Sequence, residues 1–206
     1  MLKGIIDGVL AGIMISIGGT VLISCDNSFV GAIFFSVALL AICFRGYSLY
    51  TGKIGFIASS HTKKDFMVLF TGLFGNLIGT LIGGLSINTC LNKVAVTAER
   101  MCQAKLDADL FGVFIKAIFC GILMYIAVAV YKEQKSISAI FFCVPVFILS
   151  GFEHSIADMY YFFVSKTFSL EMVLFLLIVV LGNTVGGLLF PMLGKIGVKK
   201  STEEAK

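Results

Sequence analysis

Long apolar stretches separated by short polar ones run the length of the chain. Most are about 20 residues, enough for a helix to cross roughly 30 Å of hydrocarbon. Six are read: residues 4–24, 29–59, 65–86, 108–131, 137–164 and 169–194. The second and fifth are longer and are interrupted by glycine and polar residues. This pattern predicts an all-α membrane protein of six transmembrane helices, with a single transmembrane domain over residues 1–194 and a tail over 195–206. The first stretch has no small-residue cleavage site followed by a polar mature domain, so it is read as a span and not as a removed signal peptide.

Composition excludes a soluble domain. Of 206 residues 58% are hydrophobic and 14% charged, with a mean hydropathy of +1.01, too few charges to cover a water-exposed surface of this size. With six spans both termini share a side. Lys3, Lys63, Lys64, Lys132, Lys135, Lys195, Lys199, Lys200 and Lys206 fall there, against Lys93, Arg100, Lys105 and Lys166 opposite. The excess of positive charge places the termini and the tail in the cytoplasm. It accounts for most of the net charge of +4 without a nucleic-acid partner. Arg45, Lys53 and Lys116 are left at or near membrane depth. The six cysteines show no C-x-x-C spacing and read as small buried hydrophobes; Cys90 and Cys102 share an external loop, but nothing in their spacing supports a disulfide.

The chain also repeats itself. "AIFFSV" at 32–37 matches "AIFFCV" at 139–144, and "GNLIGTL" at 75–81 matches "GNTVGGL" at 182–188, both at an offset of 107; "AGIMISI" at 11–17 resembles "CGILMYI" at 120–126 at 109. Each half, about 4–86 and 108–194, then holds three spans. An odd number sends the second half into the membrane from the opposite face, an inverted 3+3 repeat of the kind found in transporters and channels. The interruptions, "FRGYSLYTGK" at 44–53 and "SGFEHSIADM" at 150–159, fall at corresponding places. Irregular backbone at that depth is tolerated where it is buried in protein or lines a cavity. Helix ends facing such breaks present positive dipole ends, which suits an anion-tolerant pore.

The second interruption carries Glu153, His154 and Asp158 in an apolar setting. Ionisable groups in membrane segments are costly and usually mark a transport path. A metal site is poorly supported, because the other histidine, His61, lies in a cytoplasmic loop. Nucleophilic catalysis lacks both a G-x-S-x-G elbow and an H-E-x-x-H pair. A structural hydrogen-bonding role for His154 stays open beside the pore role. Asp158, four residues on, would share a helical face with His154 and favour the imidazolium. Glu153 points elsewhere and reads as a lock for backbone N–H groups in the break. The glycines of spans three and six read as close helix packing. The repeat mates Asn76 and Asn183 would bridge helices or line the pore.

"SGFEHSIADMYYF", together with "GYSLYTGKIGF" at 46–56, "GNLIG" and Lys105, resembles the formate/nitrite transporter family across nearly the whole chain. The resemblance implies an aquaporin-like protomer and a homopentamer with one pore per subunit. It implies no cofactor, and it implies passage of small monovalent anions such as formate, nitrite or hydrosulfide. Phe35, Leu39 and Phe147 match an apolar constriction on the cytoplasmic side, and Tyr50 an aromatic at the external one. Thr51 matches a threonine bonded towards the histidine, and Lys105 an external lysine that draws anions in. Asp158 stands where asparagine is common, Ser48 where an acid is common, and Gly121 where asparagine is common. The expected mechanism is proton-linked passage past His154, with an intramembrane enzyme using His154 and a carboxylate, or a neutral-solute channel, as the rivals. The paired Asn-Pro-Ala loops expected of the latter are not in the sequence.

Overall fold

The computed structural model describes residues 1–60 and 62–204, with side chains as far as Gly194. His61 and the side chains of the 195–206 tail, including Lys195, Lys199, Lys200 and Lys206, lie outside the described residues. Among those described, the secondary structure is helical throughout: α1 Leu2–Ser24, α2 Ser28–Arg45, α3 Tyr50–Lys53, α4 Lys63–Cys90, α5 Asn92–Leu106, α6 Leu110–Gln134, α7 Ser138–Leu149, α8 Ser155–Ser165 and α9 Leu170–Glu204. A 3-10 turn, Ile54–Ala58, follows α3.

Among the described residues five helices are individually long and apolar enough to cross a membrane: α1, α2, α4, α6 and the Leu170–Gly194 part of α9. The fifth apolar stretch is divided into α7, 12 residues, and α8, 11 residues. At 1.5 Å per residue each is about 17 to 18 Å long, so neither crosses alone. The first interruption follows the 18 residues of α2. Beyond it, glycines 52 and 55 and polar Thr51, Lys53, Ser59 and Ser60 sustain just a short helix and a turn, whereas Ser155–Val164 is an unbroken buried run.

The two interruptions open with the same backbone device. Gly46 (φ 70°) and Gly151 (φ 67°) both adopt the left-handed conformation, which costs a residue without Cβ little. The next N–H then reaches back to a carbonyl five residues earlier, Tyr47 to Ile42 at 3.0 Å and Phe152 to Phe147 at 2.9 Å. This closure satisfies helix-end carbonyls that hydrocarbon would leave orphaned.

Helix α1 packs along α4 and α6 along α9, with glycine at the crossings. A Cβ at Gly12 would lie 2.9 Å from the Cα of Gly79, and one at Gly121 would lie 2.9 Å from the Cα of Asn183. The departure at Gly121 therefore has a steric cause: no side chain fits between α6 and α9 there.

The stretch between Cys90 and Asp107, expected to be an external loop, is mostly helix α5. Val94, Ala95, Ala98 and Cys102 form its buried face. That helical spacing was present in the sequence, masked by the low overall hydropathy of the segment. Cys102 is buried on this face while Cys90 is exposed, and both are free thiols.

Candidate pore and its central histidine

The two asparagines fix the interruptions. Asn76 on α4 accepts from Tyr50 N–H at 2.9 Å and donates to Gly8 O at 2.9 Å and Ser48 O at 2.8 Å. Asn183 on α9 accepts from Ser155 N–H at 2.9 Å and donates to Ala117 O at 2.8 Å and Glu153 O at 2.9 Å. Both are fully buried, so each amide supplies partners that water cannot.

His154 is the residue before α8 and serves as its N-cap. Its Nδ1 accepts from Ala157 N–H at 3.1 Å, and its Nε2 lies 2.9 Å from Thr51 Oγ1. An acceptor nitrogen carries no proton, so while the cap is made the imidazole is the neutral Nε2–H tautomer, donating to Thr51. One face of the ring stacks on Phe147, with centroids 5.5 Å apart and planes 19° apart. Phe35 meets Phe147 edge-on at 6.2 Å. The two phenylalanines and the histidine thus form one aromatic cluster, with the rings on α2 and α7 and the imidazole at the start of α8.

One cavity lies against this cluster, and another is lined by Leu39, one turn along α2 from Phe35. The first, of about 350 Å³, is lined by His154, Phe147, Lys105, Glu153, Asp158 and Lys116. The second, of about 240 Å³, is lined by Leu39, Leu49, Gly52, Lys53 and Lys132 among others. Lys116 and Lys132 are 16 residues apart on α6, about 24 Å along its axis, so the cavities open towards opposite ends of that helix.

Several residues sit differently from expectation. Asp158 does not accompany His154: its Oδ1 is 3.0 Å from Lys105 Nζ, on the side of α8 that faces α5. Glu153 also pairs with Lys105, so its carboxylate serves an ion cluster and not the backbone of the break. Lys105 is correspondingly no open vestibule charge, with its side chain 16% exposed, Glu153 at 9% and Asp158 at 2%. Burial of this ammonium requires such partners, and α5 is the element that delivers it. Among the described residues Asp158 Oδ2 has no hydrogen-bond partner.

Phe35, Leu39 and Phe147 do not form one ring on one side, since Phe147 lines the Lys105 cavity and Leu39 the opposite one. Tyr50 lines neither of these cavities: it is buried, with its hydroxyl 2.7 Å from Thr184 Oγ1 on α9. Tyr161, not picked out from sequence, lines the larger cavity, with Lys105 Nζ 6.0 Å from its ring centroid. The only sequence sign of it was its place in the "MYYFF" run, where aromatic character does not say which ring faces a cavity. Among the described residues no group of three or more His, Cys, Asp or Glu could hold a metal ion.

A cavity lined by a buried, hydrogen-bonded histidine, with five span-length apolar helices among the described residues, points to a multi-pass membrane protein of the channel or transporter type. A family model described as "Formate/nitrite transporter" matches residues 1–196, and the chain belongs to that family, whose members are transporters and not enzymes. Among solved structures it is similar to one described as "FNT family ion channel", with a TM-score of 0.79 and 25% identity, over 96% of this chain and 88% of that one. It is also similar in fold to a "Pentameric formate channel with formate bound", with a TM-score of 0.75 and 23% identity, over 100% of this chain and 98% of that one. A comparison with curated protein sequences found no match.

Proposed function

We propose that this chain is a channel or transporter for small monovalent weak-acid anions, formate, nitrite or hydrosulfide, across the cytoplasmic membrane, with proton-linked passage past His154. The observation that carries the reading is the position of His154. It joins the two interruptions through Thr51, stacks on Phe147, and lines the cavity that also holds Lys105, Glu153 and Asp158.

The physical reason is solvation. A bare anion at the Phe35 and Phe147 rings loses several kcal/mol or more of hydration, while its neutral conjugate acid loses far less. An anion that acquires a proton in the chamber crosses as the acid. His154 holds one proton while it caps α8, so a second would displace the Ala157 N–H and loosen the cap. Protonation is thereby tied to the order of the break.

The six-crossing, inverted 3+3 and aquaporin-like arrangement is supported by the paired glycine turns and paired asparagines. Six crossings put both termini on one side, and the lysine distribution assigns that side to the cytoplasm. The likeness in fold to the pentameric formate channel supports a homopentamer. It is also consistent with the exposed apolar faces of α4 and α9, among them Phe70, Phe74, Leu177 and Leu181.

The test is parallel uptake of labelled formate, nitrite and hydrosulfide into proteoliposomes from about pH 5 to 8, with an internal pH dye. Uptake of at least one above the chloride level, accompanied by proton movement, supports the reading. Uptake of all three at the level of protein-free vesicles overturns it.

A further inference from the structure

Lys53 lies half-buried and Lys132 exposed at the mouth opposite the Lys105 cavity. Both line the 240 Å³ cavity beside Leu39, and both line a second of about 200 Å³ that takes in Phe56 and Asp65. The contrast with Lys105 is direct. That ammonium is buried between two carboxylates, whereas among the described residues no carboxylate lies within 4.0 Å of Lys53 or Lys132.

Asp65, the carboxylate that lines the second cavity, is already engaged. It accepts from Ser60 Oγ at 2.6 Å, Thr62 Oγ1 at 2.5 Å and Thr62 N–H at 3.2 Å in the capping box of α4. Asp7 acts on Lys53 from beyond pairing distance, with Lys3 opposing it, and Lys53 and Lys132 repel each other. Lys132 Nζ sits 3.5 Å above the centre of the Phe56 ring, which holds the charge at the mouth without neutralising it.

We propose that Lys53 and Lys132 form an anion-binding antechamber, taking a small monovalent anion such as formate or nitrite before it meets Leu39. The proposal rests on the transport reading for the identity of that anion. Two like charges in one concave, low-dielectric wall focus a positive potential into it, and a small anion supplies the countercharge the protein does not. A volume of 240 Å³ is room for several waters at about 30 Å³ each, so the anion keeps part of its shell. Binding there is weak and rapidly reversible, which suits capture and release at a mouth. The α3 turn and the end of α6 supply one lysine each.

The experiment is ¹³C-formate line broadening on the full-length protein in detergent free of anionic lipid, which requires no transport. In Lys53→Met/Lys132→Met the formate concentration for half-saturation should rise roughly three- to tenfold at low salt, and Lys53→Arg/Lys132→Arg should restore it. Where the double variant does not assemble, Lys132→Met alone should give part of the rise. Half-saturation equal to wild type in the Met variants overturns the antechamber. An effect that appears only when anionic lipid is added assigns the lysines to headgroups and overturns it too. Proteoliposome uptake separates the readings: absent uptake of any anion by wild type, with lysine-dependent formate binding intact, refutes transport and leaves the site standing.

Discussion

Asn76 and Asn183, 107 residues apart on α4 and α9, make the same three hydrogen bonds, each accepting one N–H from beyond an interruption and donating to two carbonyls. Each is a buried clasp that ties an interrupted segment to a pair of packed helices. Replacing Asn183 with Leu orphans Ser155 N–H and Glu153 O, at about 1 to 3 kcal/mol for each buried group, and removes the second donor from Ala117 O, which keeps its partner within α6. Asn183→Leu should therefore lower the thermal unfolding temperature in detergent substantially and abolish uptake, because residues 153–155 position His154. Asn76→Leu should destabilise similarly. Unfolding of either variant at the wild-type temperature would show that the clasps are incidental.

His154→Asn should keep the fold, because asparagine is a good N-cap and its side chain can still accept from Ala157 N–H. It removes the ring that stacks on Phe147 and the Nε2–H held by Thr51. Anion movement should persist while the accompanying proton movement is lost, as read by the internal pH dye. Intact proton coupling in this variant would rule out the histidine as the coupling residue.

Around Lys105 one ammonium faces two carboxylates, so with all three charged the cluster carries one net negative charge. Asp158→Asn brings it to zero. Uptake at low anion concentration should rise roughly two- to tenfold, more at low than at high ionic strength. Because Asp158 faces Lys105 and not His154, the pH at which proton coupling is half-maximal should not move. A shift in that midpoint with no change in uptake would reinstate Asp158 as the histidine's partner.

Lys105→Met strands Glu153 and Asp158 in a buried site. Breaking a buried pair by removing one partner costs about 3 to 5 kcal/mol, so assembly should suffer. Adding Glu153→Gln and Asp158→Asn should recover most of the lost thermal stability, because no uncompensated buried charge remains. A stable single variant would mean that the cluster is more hydrated than its burial indicates.

Phe35→Ala/Phe147→Ala removes the two rings that meet edge-on at 6.2 Å. The path should widen and admit water, lowering the penalty against bare ions, so chloride conductance should rise and selectivity fall. Selectivity equal to wild type would place the dehydrating barrier elsewhere, with Leu39 the next residue to replace.

What the sequence determined on its own was what local chemistry decides. Runs of about 20 apolar residues set the span-length helices, and the offset of 107 set the pairing of Asn76 with Asn183. "SGFEHSIADM" set where the fifth stretch breaks, because Gly151 takes the left-handed turn and His154 caps the helix that follows. The tertiary structure alone decided which side chain meets which. Lys105, Glu153 and Asp158 belong to α5, to the break and to α8, and their meeting depends on α5 folding back against α8, a contact between segments some 50 residues apart that no local pattern encodes. Spacing of four along a helix put Asp158 near His154 in principle. In the fold the histidine is the cap and not part of the helix, so its ring turns towards Thr51 and Phe147 while the carboxylate turns to the lysine.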